Sequence, residues 1–191
     1  MIDVVGDTAA MSAAIEIRRE LRPGDYGSIV HMHGRMYARE YGVDSSFEAF
    51  VAASVADAAM RGWPGGREAI WVVERDGSFA GCVGLTDEGE DIAKLRWFLL
   101  DPALRGRGLG PRLVAELVAK ARELGFERLR LETFSELRAA ARIYRAHGFR
   151  LVHEETGPRW GRDRITYQHY ELELTPASQG RTGARSVAGS A

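Results

Sequence analysis

The sequence predicts a domain of the α/β (α+β) class built on one mixed sheet. Three observations carry this. Strand and helix signals alternate from residue 15 to residue 174 in the order β-α-α-β-β-β-α-β-α-β-β. Asp76-Gly77, set between two apolar runs, marks an antiparallel hairpin. A glycine-rich loop at 106–110 joins a strand to a long amphipathic helix. The 191 residues and 21.1 kDa fit one domain, and no internal repeat divides them.

Residues 15–21 alternate apolar and charged side chains, the pattern of a strand, which Pro23-Gly24 stops. Asp25 is placed to cap a helix over 25–41, ended by Gly42. Ser45 or Ser46 caps a second helix to residue 61, with Phe47, Phe50, Val51, Val55 and Ala58 at helical spacing. Segment 69–75 is apolar on both faces, as a central strand should be, and 79–85 returns beside it through the hairpin. A further strand spans 93–100 and stops at Asp101-Pro102. Helix 110–126 turns Leu113, Val114, Leu117, Val118 and Ala121 to one face and Arg112, Glu116 and Lys120 to the other. Strand 128–134, helix 136–147 and strands 149–154 and 165–174 complete the order, with a loop holding Gly157, Pro158, Trp160 and Gly161 before the last strand. Residues 1–14 are rich in Ala, Asp and Gly without a period, and residues 175–191 are small and polar, so flexible ends are expected around a domain at 15–174.

Charge excludes some functions. Twenty-six basic residues face 27 acidic ones, a net charge of −1, which argues against binding nucleic acid through many phosphates. All but Lys94 and Lys120 of the basic residues are arginines. Cys82 is the single cysteine, so neither an intrachain disulfide nor a cysteine-based zinc site can form. No H-x-x-x-H pair exists, and no metal is expected. No apolar run is long enough to span a membrane, and the first residues lack the pattern of a secretion signal. A cytoplasmic protein is the resulting expectation.

The most informative segment is the loop. Gly106, Gly108 and Gly110 alternate between a strand and a helix start, where glycine lets successive N–H groups turn towards one point. The helix adds its own free N–H groups, and Pro111 suits the first turn because a missing N–H costs nothing there. Arg105, Arg107 and Arg112 surround the loop, and no acidic residue falls between Asp101 and Glu116. This is a cradle for a phosphate or pyrophosphate. It lacks the Lys and Ser/Thr of a Walker loop, and its third glycine comes one residue too early for the dinucleotide fingerprint.

Arg105-Gly106-Arg107-Gly108-Leu109-Gly110 matches the R/Q-x-x-G-x-G/A signature of the GCN5-related N-acetyltransferase (GNAT) family. Ile143-Tyr144 followed by Gly148-Phe149 resembles that family's LY-x-x-x-GF ending. The resemblance spans roughly residues 15–174. More narrowly, Leu95-Arg96-Trp97-Phe98, His33-Gly34, Tyr37, Glu40-Tyr41-Gly42 and Trp160-Gly161 resemble the acetyltransferase half of proteins that fuse a MarR-type DNA-binding domain to such an enzyme. No winged-helix segment precedes residue 15, so the enzyme without the regulator is expected.

The resemblance implies a mostly antiparallel sheet of about seven strands flanked by four helices. It implies acetyl-CoA as cosubstrate, bound in a splayed gap between parallel strands 93–100 and 128–134. Main-chain groups of Phe98, Leu99 and Leu100 would pair with the pantetheine arm like an added strand. Backbone N–H groups of Arg107, Gly108, Leu109 and Gly110 would hold the pyrophosphate, with Arg105, Gly106 and Pro111 beside it. Thr133 or Ser135 would replace the family's usual Asn, because Leu137 stands at that position.

Tyr144 would attend the departing thiolate, or else lie on a buried stripe with Ala140 and Ala141. The family's frequent glutamate base is replaced by Arg96, which leaves Glu132, Glu40, His33 or a water relay as candidates. His33, Tyr37 and Tyr41 on the first helix, with Trp160 from the late loop, would face the acceptor; the alternative is an aromatic stripe packing on the sheet. The implied reaction is direct acetyl transfer to a primary amine of a small molecule or peptide in a ternary complex. A catalytically weak acyl-CoA-binding sensor is the alternative, and a homodimer is open because many relatives pair.

Overall fold

The computed structural model describes residues 13–174. The expectations for 1–14 and 175–191 therefore lie outside the described residues, apart from positions 13 and 14. The chain runs β1 (Ile15–Arg18), α1 (Asp25–Tyr41), α2 (Ser45–Met60), β2 (Ala69–Arg75), β3 (Ser78–Asp87), β4 (Ile92–Leu100), α3 (Leu109–Glu123), β5 (Arg128–Phe134), α4 (Arg138–Ala146), β6 (Arg150–Arg159) and β7 (Arg162–Glu173). A single 3₁₀ turn, Pro102–Leu104, separates β4 from the glycine loop. The seven strands form one sheet in the order β1-β2-β3-β4-β5-β7-β6. Every neighbouring pair is antiparallel except β4 and β5.

The sheet separates two cores. On one face α3 buries Leu113, Val114, Leu117 and Ala121 against Leu95, Leu129 and Leu131. On the other, α1 and α2 bury Ile29, Phe47, Val51 and Val55 against Ile70, Cys82 and Trp97. Trp63, between α2 and β2, donates its indole N–H to the Leu85 carbonyl at 3.0 Å and is almost wholly buried. Gly84 passes beneath it, where a Cβ would stand 2.9 Å from both Trp63 and Trp97.

The expected elements are present, with three differences. Asp25 is the first helical residue rather than the cap, since Gly24 takes the cap position at φ +99°. Freed from capping, the Asp25 carboxylate binds the buried Arg18 guanidinium at 2.7 Å, and Arg18 also reaches Glu74 at 2.8 Å and the Glu20 carbonyl. The second helix is capped by Asp44, one residue before the expected serines, and its side chain accepts from the Ser46 amide at 2.9 Å. The segment read as a loop around Gly157 and Pro158 continues β6. Pro158 is tolerated because β6 is an edge strand and its pairing slips between Gly157 and Arg159. The turn at Trp160-Gly161 is thereby carried on a long hairpin back to α2, where the Asp44 amide donates to the Trp160 carbonyl at 2.9 Å.

Arg18→Met is expected to cost about 3–5 kcal/mol, because it strips a buried pair of carboxylates of their shared cation. Urea unfolding at pH 7 measures the loss. Burial pushes the Asp25 pKa up, but hydrogen bonds from Arg18 and the Arg22 amide outweigh it and hold the group below its ordinary 3.8. A lowered carboxylate stabilises the fold above its unfolded pKa and ceases to as pH falls through the folded value. The deficit of the variant should therefore shrink below about pH 4; a deficit constant down to pH 3 would contradict this account.

Candidate active site

β4 and β5 pair only at Ile92–Arg128, Ala93–Leu129 and Lys94–Arg130. Beyond Lys94 they diverge. The cause lies in β4 itself. Its register against β3 slips by one residue between the Gly84–Arg96 and Cys82–Leu99 pairs, and Trp97 sits at φ +50°. This bulge bends β4 away from β5 and leaves the later β5-facing backbone of β4 without a strand partner. A cleft of about 390 Å³ opens on the α3–α4 side. Phe98, Leu99 and Leu100 line it, together with Gly106, Gly108, Gly110 and Pro111 from the loop.

The loop is shaped as an anion cradle requires. Gly106 and Gly108 have φ of +73° and +78°, and Gly108 is the N-cap of α3 with no side-chain cap. Among the described residues, none of the amides from Gly106 to Gly110 donates to a protein group. Five consecutive amides without protein partners at a helix start suit an anion. Arg107 is exposed beside them. Arg105 has another role. Its guanidinium forms a two-pronged pair with Glu40 at 2.8 and 2.9 Å and donates to the Leu100 carbonyl at 3.1 Å, so it ties α1 to the loop.

A second cavity continues from the inner end of the cleft, and Tyr37, Phe98 and Leu137 line both. Tyr144 stands in its wall, buried against Phe98, Phe149 and Tyr170. Tyr144 is therefore part of the core and also borders the cavity. Among the described residues, no protein group hydrogen-bonds to its hydroxyl. Burial raises its pKa, so the phenol keeps its proton. His33 is buried, and its Nδ1 donates to the Ile29 carbonyl at 2.8 Å. Burial drives its pKa down to about 4, which leaves the ring neutral with Nε2 as its acceptor nitrogen.

Glu132 and Thr133 from β5 and Trp160 from the hairpin complete the walls with Phe47, Phe50 and Trp97. Glu132 accepts from Lys94 Nζ at 2.8 Å and from the Tyr167 hydroxyl at 2.9 Å. Burial pushes its pKa up, but these two partners overcome that and hold it below the usual glutamate value. Glu132 is thus ionised at neutral pH.

Several expected residues lie elsewhere. Glu40 lines neither cavity, being held by Arg105 on the outer side of α1. Tyr41 borders the first cleft and not the second cavity, because one helical turn carries it past the junction that Tyr37 occupies. Ser135 lines neither cavity and turns to Glu136 at 3.4 Å. Lys94, Tyr167, Phe47 and Leu137 were not anticipated as lining residues. The alternation of Lys94 with Arg96 along one strand was the available signal for Lys94. The others depend on which strand ends face each other. Among the described residues, no three His, Cys, Asp or Glu side chains gather to hold a metal. No described helix is long and apolar enough to cross a membrane.

A cleft with free loop amides at one end and an aromatic cavity at the other suits a long ligand with an anionic end. The family model described as acetyltransferase (GNAT) matches residues 35–149, and the chain belongs to that family. It is an N-acetyltransferase of the acetyl-CoA-using kind. The uncharacterized N-acetyltransferase YjgM of Escherichia coli is 34% identical over 121 residues, covering 62% of this chain and 72% of that protein. The uncharacterized N-acetyltransferase C1271.07c of Schizosaccharomyces pombe is 30% identical over 119 residues, covering 61% and 71%. In fold, the chain is similar to YncA of Salmonella typhimurium, solved with its cofactor acetyl-CoA: TM-score 0.66, 20% identity, 86% of this chain and 96% of that one.

Proposed function

We propose that the protein transfers the acetyl group of acetyl-CoA directly to a primary amine of a small molecule or peptide. The observation that carries this reading is the continuity of the site: five free loop amides, an unpartnered stretch of β4, and a cavity bordered by Tyr144 lie along one path. The residues fit the cosubstrate. Amides of Gly106 to Gly110 would hold its pyrophosphate, with Arg107 adding charge. Main-chain groups of Phe98, Leu99 and Leu100 would hold the pantetheine arm, and Thr133 replaces the usual Asn contact in preference to Ser135.

Acetyl-CoA supplies an acetyl thioester: the amine forms the new C–N bond, the C–S bond breaks, and CoA leaves as thiol. The chain's own residues handle the protons. Glu132, directly or through water, accepts one from the incoming ammonium; the nitrogen sheds its second as the C–N bond forms, and that proton replaces the one that Tyr144 Oη gives to the departing sulfur. Backbone N–H groups of β4 polarise the carbonyl. Cys82 takes no part, since it is buried and burial raises its thiol pKa.

The domain extends over residues 15–174, and a cytoplasmic location suits the reading. The narrower likeness to the acetyltransferase half of MarR-type fusions rests on the residues quoted for it. Pairing of two copies is supported by the solvent-facing Leu151 and Val152 on edge strand β6. A second reading, an acyl-CoA sensor of weak turnover, is favoured by Arg96 in place of a carboxylate and by the engagement of Glu132 with Lys94.

The test is thiol release from acetyl-CoA across a panel of amines, with acetyl-CoA binding measured in parallel. Binding without release from any amine would favour the sensor. On a working acceptor, Glu132→Gln should lower kcat/KM about 100-fold at pH 7. The loss should diminish as pH rises, because the fraction of free amine then grows without help from a base. An unchanged rate at pH 7 would remove Glu132 from the mechanism.

A further inference from the structure

The acceptor cavity holds one charge that acetyl transfer does not use. Lys94 and Arg96 are two apart on β4, and so leave the sheet on the same side. The bulge then sets Trp97 beside Arg96 on that side, and the guanidinium carbon lies 4.9 Å from the indole centroid. The two cations differ in their partners. Lys94 is matched by Glu132 at 2.8 Å. Arg96 makes no hydrogen bond among the described residues, and the one carboxylate within reach, Glu88, stands 4.0 Å away. The Arg96 side chain is only 19% exposed, so water replaces little of what a partner would supply.

A partly desolvated guanidinium without a hydrogen-bonded anion is costly, and its planar fork of donors fits a carboxylate with two parallel bonds. The balance of the cavity points the same way. Lys94 and Arg96 outnumber Glu132, and His33 is neutral. A bare ammonium would meet net repulsion there. An ammonium that carries its own acid group would not. Phe47, Phe50, Val51 and Trp160 give the same cavity an apolar stretch of wall.

We infer that Arg96 anchors an acidic group of the acceptor, and that the acceptor is an amino acid with an apolar side chain. Its carboxylate sits on Arg96, its amine faces the Tyr144 end of the cavity, and its side chain packs among Phe47, Phe50 and Trp160. This rests on the acetyl-transfer reading.

The experiment compares phenylalanine and leucine with 2-phenylethylamine and 3-methylbutylamine, the same molecules without the carboxylate, by thiol release from acetyl-CoA. The wild type should prefer the amino acids by about 10- to 100-fold in kcat/KM, the value of a hydrogen-bonded charge pair. In Arg96→Met that ratio should collapse to about one, and Arg96→Lys should restore part of it. Acetyl-CoA affinity and circular dichroism check that the variants fold. Equal or better turnover of the decarboxylated amines by the wild type, or an unchanged ratio in Arg96→Met, would overturn the inference and leave acetyl transfer standing. Release from none of the four by a protein that still binds acetyl-CoA would overturn the inference, and a wider panel of amines would then decide acetyl transfer separately.

Discussion

Gly108→Asp is expected to weaken acetyl-CoA binding by about 100-fold or more. Two causes add. Gly108 sits at φ +78°, a conformation that costs a side-chain-bearing residue roughly 1–2 kcal/mol. The aspartate also places a negative charge at the centre of five free amides that are otherwise open to an anion. Steric disruption is not a cause, since nothing lies within 4 Å of a Cβ built at Gly108. The fold should therefore survive, and Gly108→Ala separates strain from charge: it should weaken binding by no more than about 30-fold. Isothermal titration of acetyl-CoA into each variant gives the comparison. Full affinity in Gly108→Asp would mean that the pyrophosphate is held elsewhere.

The second large effect is on the chemical step. Tyr144→Phe should lower kcat by about 100-fold while leaving the KM for acetyl-CoA close to wild type. The substitution removes only a hydroxyl that no described protein group contacts, so it leaves no buried partner unsatisfied, and the melting temperature should hardly move. The pH dependence follows from burial. The Tyr144 pKa is raised, so the phenol remains a proton donor throughout the working range and contributes no alkaline limb to the wild-type profile. Thiol release measured from pH 6 to pH 9 tests both points. Unchanged turnover across that range would reduce Tyr144 to its packing role against Phe98, Phe149 and Tyr170.

Much of the fold was legible because its signals are local. Strands 69–75 and 128–134 have the bounds the pattern predicts, and α1 runs from 25 to 41 as expected. The misreadings share a cause. Gly157 and Pro158 look like loop residues, but they lie on an edge strand, where a missing amide donor and a bulge are tolerated. Asp25 looks like a cap, but Arg18, seven residues earlier and on a different element, draws its carboxylate into an ion pair.

The sequence by itself determined the family, the glycine loop before α3 and the position of Tyr144. Each depends on residues close along the chain: alternating glycines before a helix, or a tyrosine four residues before Gly148-Phe149. The tertiary structure decided how the charged side chains are used. It committed Arg105 to Glu40 across 65 residues and Glu132 to Lys94 across 38. It also left Arg96 beside Trp97 with only a long ion pair, to Glu88 at 4.0 Å. A charge is free or spent only with respect to neighbours brought together by strand register and helix packing. The bulge at Trp97 that opens the cleft is itself a slip of one residue between two strands, which no local pattern announces.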